Sequence, residues 1–312
     1  MKEIYLNRES SSAESASLEQ LKRAVIEKAE QLGVQILTEK DIDEKLGDKP
    51  YATHTIVSNQ ENVIKVLDAG KLQSSKAVGG GSMTWESDKL IGMDDNVFFA
   101  LGKGYMRKDT YSLIFAPEVL SKMPDASFVE DDLVKFEGEF ITEFMEESSK
   151  DIIESIEQNR TALREYFEKM VKRSFEGGHG IYEQYFGEHA RDRVQDFLDA
   201  IKSKGFKGIT EEKEVIDQFT ILSDAILSED IMPPKLRNKL KKTLEEKVIK
   251  PHTIMGAKNI HNAIEKRWKA NSDSYKEFLP DDKHVPDKVV EIRVPNEADI
   301  KKAIIAIYVP TT

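Results

Sequence analysis

Few side chains in this sequence are equipped for chemistry, and they lie far apart. There is no cysteine. Disulfides, thiolate catalysis and cysteine-ligated zinc are therefore excluded. Six histidines are present, and one of them, His54, stands between two threonines in a β-type run, YATHTIV. A neutral imidazole offers one donor and one acceptor. A carboxylate, Glu291, alternates with Val290 and Ile292 in VVEIRVP. The plain alternative for it is a solvent-facing strand residue. Between the two, NVFFALGKGY at 96–105 supplies the aromatic side chains Phe98, Phe99 and Tyr105. His179 and His189, with Glu183 and Glu188, fit no H-E-x-x-H spacing, so no metal site is expected. GGGS at 79–82 lacks the strand–G-x-G-x-x-G–helix setting of a phosphate-binding turn and reads as a loop. G-G-H-G at 177–180 reads as a linker.

The elements that must position these residues follow from periodicity. Residues 1–17, rich in Ser and Glu, are expected to be mobile. Leu18, Leu21, Val25 and Leu32 lie near helical spacing, and Gly33 follows as a stop, so 18–33 is expected to be a helix. A second helix is expected over 59–69, ended by Gly70. NVFFAL (96–101) and YSLIFA (111–116) read as buried strands. Residues 128–160 carry eleven acidic residues against three basic, and Asp131 and Asp132 read as part of a solvated face. Apolar stripes at helical spacing follow: Leu163 to Phe175, Val194 to Ile201, and Val215 to Ile226. A further helix is expected over 254–270. VVEIRVP and AIIAIYVP close the sequence as strands. The economical reading is an α+β fold in which 51–120 and 286–312 share one sheet, interrupted by a large helical insertion. The expected division is 1–50 as N-terminal tail and helix, 51–138 with 285–312 as the core, and 139–284 as the insertion.

The chain has 312 residues, 39% hydrophobic and 33% charged, with a formal net charge of −11. That length suits two domains, or one with a large insertion. A general binder of nucleic acid or anionic membrane would carry the opposite sign. The stretch PPKLRNKLKKTLEEKVIK is strongly basic and reads as a helix surface or a patch for an acidic partner. No apolar run approaches the ~20 residues that span a bilayer, and the N-terminus lacks an apolar signal core. A cytoplasmic location, or delivery into a target cell by a route other than a signal peptide, is the expectation.

Three segments taken in order carry a resemblance. T-H-T at 53–55 is followed by SNQENVIKVLDAGKLQSS. NVFFALGKGY is followed by YSLIFAPEVL. VVEIRVPNEADIKKAIIAIYVP comes last. Together, over about 110 residues, they resemble the ADP-ribosyltransferases of the His–Tyr–Glu kind, seen in diphtheria-type toxins and poly(ADP-ribose) polymerases, and the bacterial toxins that modify DNA. The resemblance implies a split β-sheet core, NAD as substrate, and the setting of a bacterial or phage effector or toxin. His54 matches the family histidine that hydrogen-bonds a ribose hydroxyl. Phe98 matches the aromatic of G-x-Y-F-A near the nicotinamide, Tyr105 the stacking tyrosine with Tyr111 as its substitute, and Glu291 the catalytic glutamate. Thr55 stands where the family often has Gly, and Phe98 where it usually has Tyr. The chemistry suits these types. Breaking the nicotinamide–ribose bond builds positive charge on the sugar, which a carboxylate stabilises, while aromatic faces fix the departing ring.

Three functions follow as expectations. The first is an NAD-dependent transferase of ADP-ribose to a macromolecular acceptor, protein being the commonest. The second is the same chemistry on nucleic acid, against which the net charge counts. The third is a helical binding or scaffold protein whose ADP-ribosyltransferase-like part has lost activity.

Overall fold

The structure is a computed structural model, and it describes residues 8–56, 61–78, 86–104, 106–130, 133–166, 190–210, 224–278 and 290–310. Several residues singled out above lie outside these: Tyr105, the GGGS loop, Asp131 and Asp132, G-G-H-G with His179, Glu183, Glu188 and His189, and most of the stripe from Val215. The chain is a mixed α+β protein that divides into two compact units. One comprises 1–74, 97–130 and 254–312; the other comprises 75–96 and 131–253. The expected division had placed its boundaries at 138/139 and 284/285.

The first unit is built on strands. In chain order they are β1 (Gln35–Leu37), β2 (Ala52–Thr55), β3 (Lys71–Gln73), β4 (Asn96–Leu101), β5 (Ser112–Phe115), β6 (Ser127–Val129), β7 (Thr253–Met255), β8 (Glu291–Pro295), β9 (Glu297–Asp299) and β10 (Ile304–Tyr308). Among the described residues, eight of them form one mixed sheet in the order β1-β10-β5-β2-β4-β8-β6-β7, and β3 pairs with β9. Strands from 51–120 and from 286–312 thus share a sheet, as the change of period predicts. β1 adds a finding: it pairs in parallel with β10, Leu37 opposite Tyr308. The segment 1–50 is therefore not a tail beside the core but carries one of the sheet's strands.

Helix α1 runs from Arg8 to Leu32. Residues 8–17, part of the tail expected to be mobile, are helical. Ser and Glu are tolerable helix formers, and an apolar stripe is not needed where the helix continues one already anchored by Val25 and Ala29, both fully buried. Gly33, at φ 66°, ends it in the left-handed conformation that costs glycine least. Helix α2 (Glu39–Leu46) is fixed at its start by Thr38, whose backbone N–H and hydroxyl both donate to the Asp41 carboxylate, at 2.9 and 2.6 Å. These bonds hold Asp41 down to about 2. Helix α3 (Asn62–Ala69) closes on Gly70, whose N–H bonds Val66 O at 2.9 Å.

Phe99, Phe115, Phe128, Ile292 and Ile307, all fully buried, make the core of this unit. Phe99 meets Phe115 edge to face at 4.9 Å. In the same unit a long helix over 257–275 packs Trp268 against Tyr275 (5.6 Å, stacked) and Tyr51 (5.3 Å, edge-on). Trp268 Nε1 donates to Asp48 O at 2.7 Å.

The second unit is mainly helical where described: α4 (Glu86–Leu90), α6 (Leu133–Glu147), α7 (Ser149–Gln158), α8 (Ala190–Thr210) and α9 (Pro234–Leu244), with α5 (Pro117–Leu120) and α10 (Ala257–Tyr275) belonging to the first unit. α8 carries the expected stripe at Leu198 and Ile201, both buried. The basic α9 buries Leu240 and Leu244 and leaves Lys235, Lys241 and Lys242 exposed. Asp224, 3% exposed, accepts from the Glu86 backbone N–H and from the Tyr166 hydroxyl. Arg237 pairs with Glu86 and Glu229 and donates to Leu227 O. No helix among the described residues is long and apolar enough to cross a membrane.

Candidate functional site

His54 lies on β2, whose two edges are unequal. Against β5 the ladder runs from Ala52 opposite Phe115 to Thr55 opposite Ser112. Against β4 it stops after Ala52–Leu101 and Thr53–Ala100. Beyond that point the His54 ring takes over the next backbone acceptor: its Nδ1 lies 2.8 Å from Phe98 O. A carbonyl can only accept, so Nδ1 carries the proton, and in the neutral ring Nε2 is the acceptor. Burial lowers the His54 pKa below its ordinary value of 6.5, outweighing the opposite effect of the Phe98 carbonyl. The ring is thus held neutral and in one tautomer. It also lies 5.9 Å from the Phe99 ring. Among the described residues Nε2 has no hydrogen-bond partner.

The neighbouring threonines are tied into the sheet. Thr53 donates to Gly102 O at 2.8 Å, and Thr55 Oγ1 lies 2.9 Å from Ser112 Oγ. Thr55 therefore faces a hydroxyl partner where the resemblance implies an approach to cofactor. Tyr111, the substitute for Tyr105, is 2% exposed, and burial raises its phenol pKa.

Glu291 opens β8. Its alternation with Val290 and Ile292 is as read from the sequence, with Ile292 opposite Phe128 in the core. It is not the solvent-facing residue of the plain alternative, for its side chain is only 14% exposed. The reason is Arg293, two positions on and hence on the same side of the strand. Arg293 is 5% exposed. Its guanidinium donates to Glu291 Oε2 at 3.2 Å and lies over the Phe98 ring, 5.3 Å from the centroid. Among the described residues its Nε–H is buried without a partner.

Phe98 is thus the joint of the site. Its carbonyl receives His54, and its ring carries the cation that holds Glu291. No hydrogen bond or ion pair joins His54 to Glu291 among the described residues. The sequence pattern points to His54, Phe98 and Glu291, which the structure links through Arg293, a residue that the pattern did not single out. The signal was present: in V-E-I-R-V two charged residues share one side of a strand whose other side is wholly apolar. Chemically the group offers a fixed neutral imidazole, an aromatic ring and a carboxylate held by a buried cation. Such a set suits hydroxyl-rich ligands and the stabilisation of developing positive charge. Comparison of the chain with family models, with curated proteins and with solved structures finds no match.

Proposed function

We propose that this chain is an NAD-dependent ADP-ribosyltransferase with a split β-sheet core, transferring ADP-ribose to a macromolecular acceptor, protein in the first instance. The observation that carries the reading is the linkage His54–Phe98–Arg293–Glu291, which joins three separately recognised segments of the sequence. In the reaction the nicotinamide–ribose bond breaks and its electron pair leaves with the nicotinamide. The acceptor then bonds to the sugar carbon, and its proton passes to solvent. Glu291 takes a hydrogen bond from the ribose 2′-hydroxyl and stabilises the positive charge. His54, through Nε2, accepts from a second ribose hydroxyl. The ring of Phe98 borders the nicotinamide.

A scaffold role with an inactive domain has one observation in its favour: the Glu291 carboxylate is already engaged by Arg293. The test is incubation with labelled NAD and a cell lysate, beside release of free nicotinamide, for wild type and Glu291→Gln. Label on protein and nicotinamide release in wild type alone support the transferase. Absence of both from folded wild type at millimolar NAD favours the scaffold. Label on nucleic acid instead of protein would redirect the acceptor.

A further inference from the structure

We propose that Arg293 is the positioning residue of this site: it holds the Glu291 carboxylate in place from a seat on the Phe98 ring. The inference rests on the transferase reading and adds to it the device that fixes the carboxylate.

A guanidinium 5% exposed is an unusual occupant of a strand. Burying a cation is costly unless it is paired and its donors are met. Here they are not all met. One contact goes to Glu291, and the Nε–H meets no acceptor among the described residues. Buried donors left so are rare and call for an explanation. Simple stabilisation is a poor one, since an apolar residue of similar volume would fill the place without the cost. What an apolar residue would not supply is a fixed donor for Glu291. A planar guanidinium can lie on an aromatic face and aim N–H at a carboxylate at once. The ammonium of Lys is a point charge on a flexible stem and cannot do both with the same precision. A carboxylate that acts on a developing charge gains most from being oriented before the reaction. Arg293 provides that orientation, and Phe98 fixes Arg293.

The test compares NAD turnover of the full chain with that of Arg293→Met, Arg293→Lys, Glu291→Gln and the double variant Glu291→Gln/Arg293→Met, with thermal unfolding measured on each. Displacing a group by about 1 Å can cost roughly a hundredfold in rate. Arg293→Met is expected to lose about 10- to 100-fold in kcat with KM for NAD changed less than about threefold, and Arg293→Lys to fall between it and wild type. In the Glu291→Gln background, Arg293→Met is expected to change kcat less than about twofold, because a residue acting only through Glu291 has nothing left to position. A plain packing role would not produce that non-additivity. Wild-type kcat in Arg293→Met, or losses that multiply in the double variant, overturn the proposal while leaving the transferase reading intact. If Arg293→Met does not fold, Arg293→Lys decides, and wild-type kcat there overturns the proposal. A folded wild type without NAD turnover overturns both.

Discussion

Each of the two units draws an arginine largely out of solvent, Arg293 buried and Arg237 half-buried, and the two are treated differently. In the helical unit Arg237 meets two carboxylates, Glu86 and Glu229, and a backbone carbonyl. The nearby Asp224 is likewise met by a backbone N–H and a phenol. In the sheet unit Arg293 meets one carboxylate, rests on one ring and, among the described residues, leaves its Nε–H without an acceptor. A polar network whose members answer each other is a fastener. It rigidifies the helices and asks nothing of solvent or ligand. A network left incomplete beside a carboxylate and an aromatic ring is what selection tolerates where chemistry is the return. The contrast fits a structural role for the first and is what the proposed site would require of the second.

The sharpest way to break that contrast is at the carboxylates. Glu291→Gln is expected to lower NAD turnover by roughly 10²–10³, the usual loss for one preorganised electrostatic contact, with NAD affinity little changed. It also removes the charge partner of a buried cation, so unfolding should show a loss of about 1–2 kcal/mol. Unchanged turnover would take Glu291 out of the mechanism. Asp224→Ala in the helical unit should reverse the pattern. Two donors lose their acceptor, and about 2–3 kcal/mol of stability should go, read by denaturant unfolding, while NAD turnover at a temperature where the variant remains folded stays near wild type. A large fall in kcat in folded Asp224→Ala would end the division into fastener and site.

A smaller effect separates backbone from side chain within the sheet unit. Gly102 sits at φ 70°, and a Cβ there would come within 2.4 Å of Tyr275 O. Gly102→Ala should cost roughly 1–3 kcal/mol through backbone strain, measurable as a lowered Tm. An unchanged Tm would show that the end of β4 can relax. The smallest effect concerns pH. The folded-state pKa of His54 is lowered, so the unfolded chain binds its proton first on acidification. Its contribution is fully present above about pH 6.5 and declines as pH falls below that value toward the folded pKa. His54→Gln should therefore lose less stability than wild type between neutral pH and about pH 5, in paired unfolding curves. Parallel curves would mean that the ring titrates freely when folded.

The readable parts of the fold were those with a single dominant period. NVFFAL is β4 to the residue, and the apolar alternation of 290–294 marks β8. Gly70 announces the end of α3 by the conformation it alone adopts cheaply. Three-residue strands such as β3, β6 and β9 are too short to show a period, and their pairing is set by partners far away in sequence. β1 needed Tyr308 to be recognised as part of a sheet. Within the site, His54 and Glu291 stood out by type. Arg293 did not, because its meaning lies in the ring beneath it, and no spacing in the sequence brings 98 to 293.

The parallel pairing of β1 with β10 bears on how the chain is made. Residues 35–37 have their neighbours at 306–308, about 270 positions later. At ribosomal rates of about 5–20 residues per second, β1 waits some tens of seconds for its partner to be synthesised. During that interval the segment 131–253 is completed, and its local helical contacts form without help from the C-terminus. The nascent chain thus carries the described helices of 131–253 and an open sheet at the same time. Until β8 and β10 are synthesised, the edges of β4 and β5 that pair with them stay open, in the part of the molecule that holds His54.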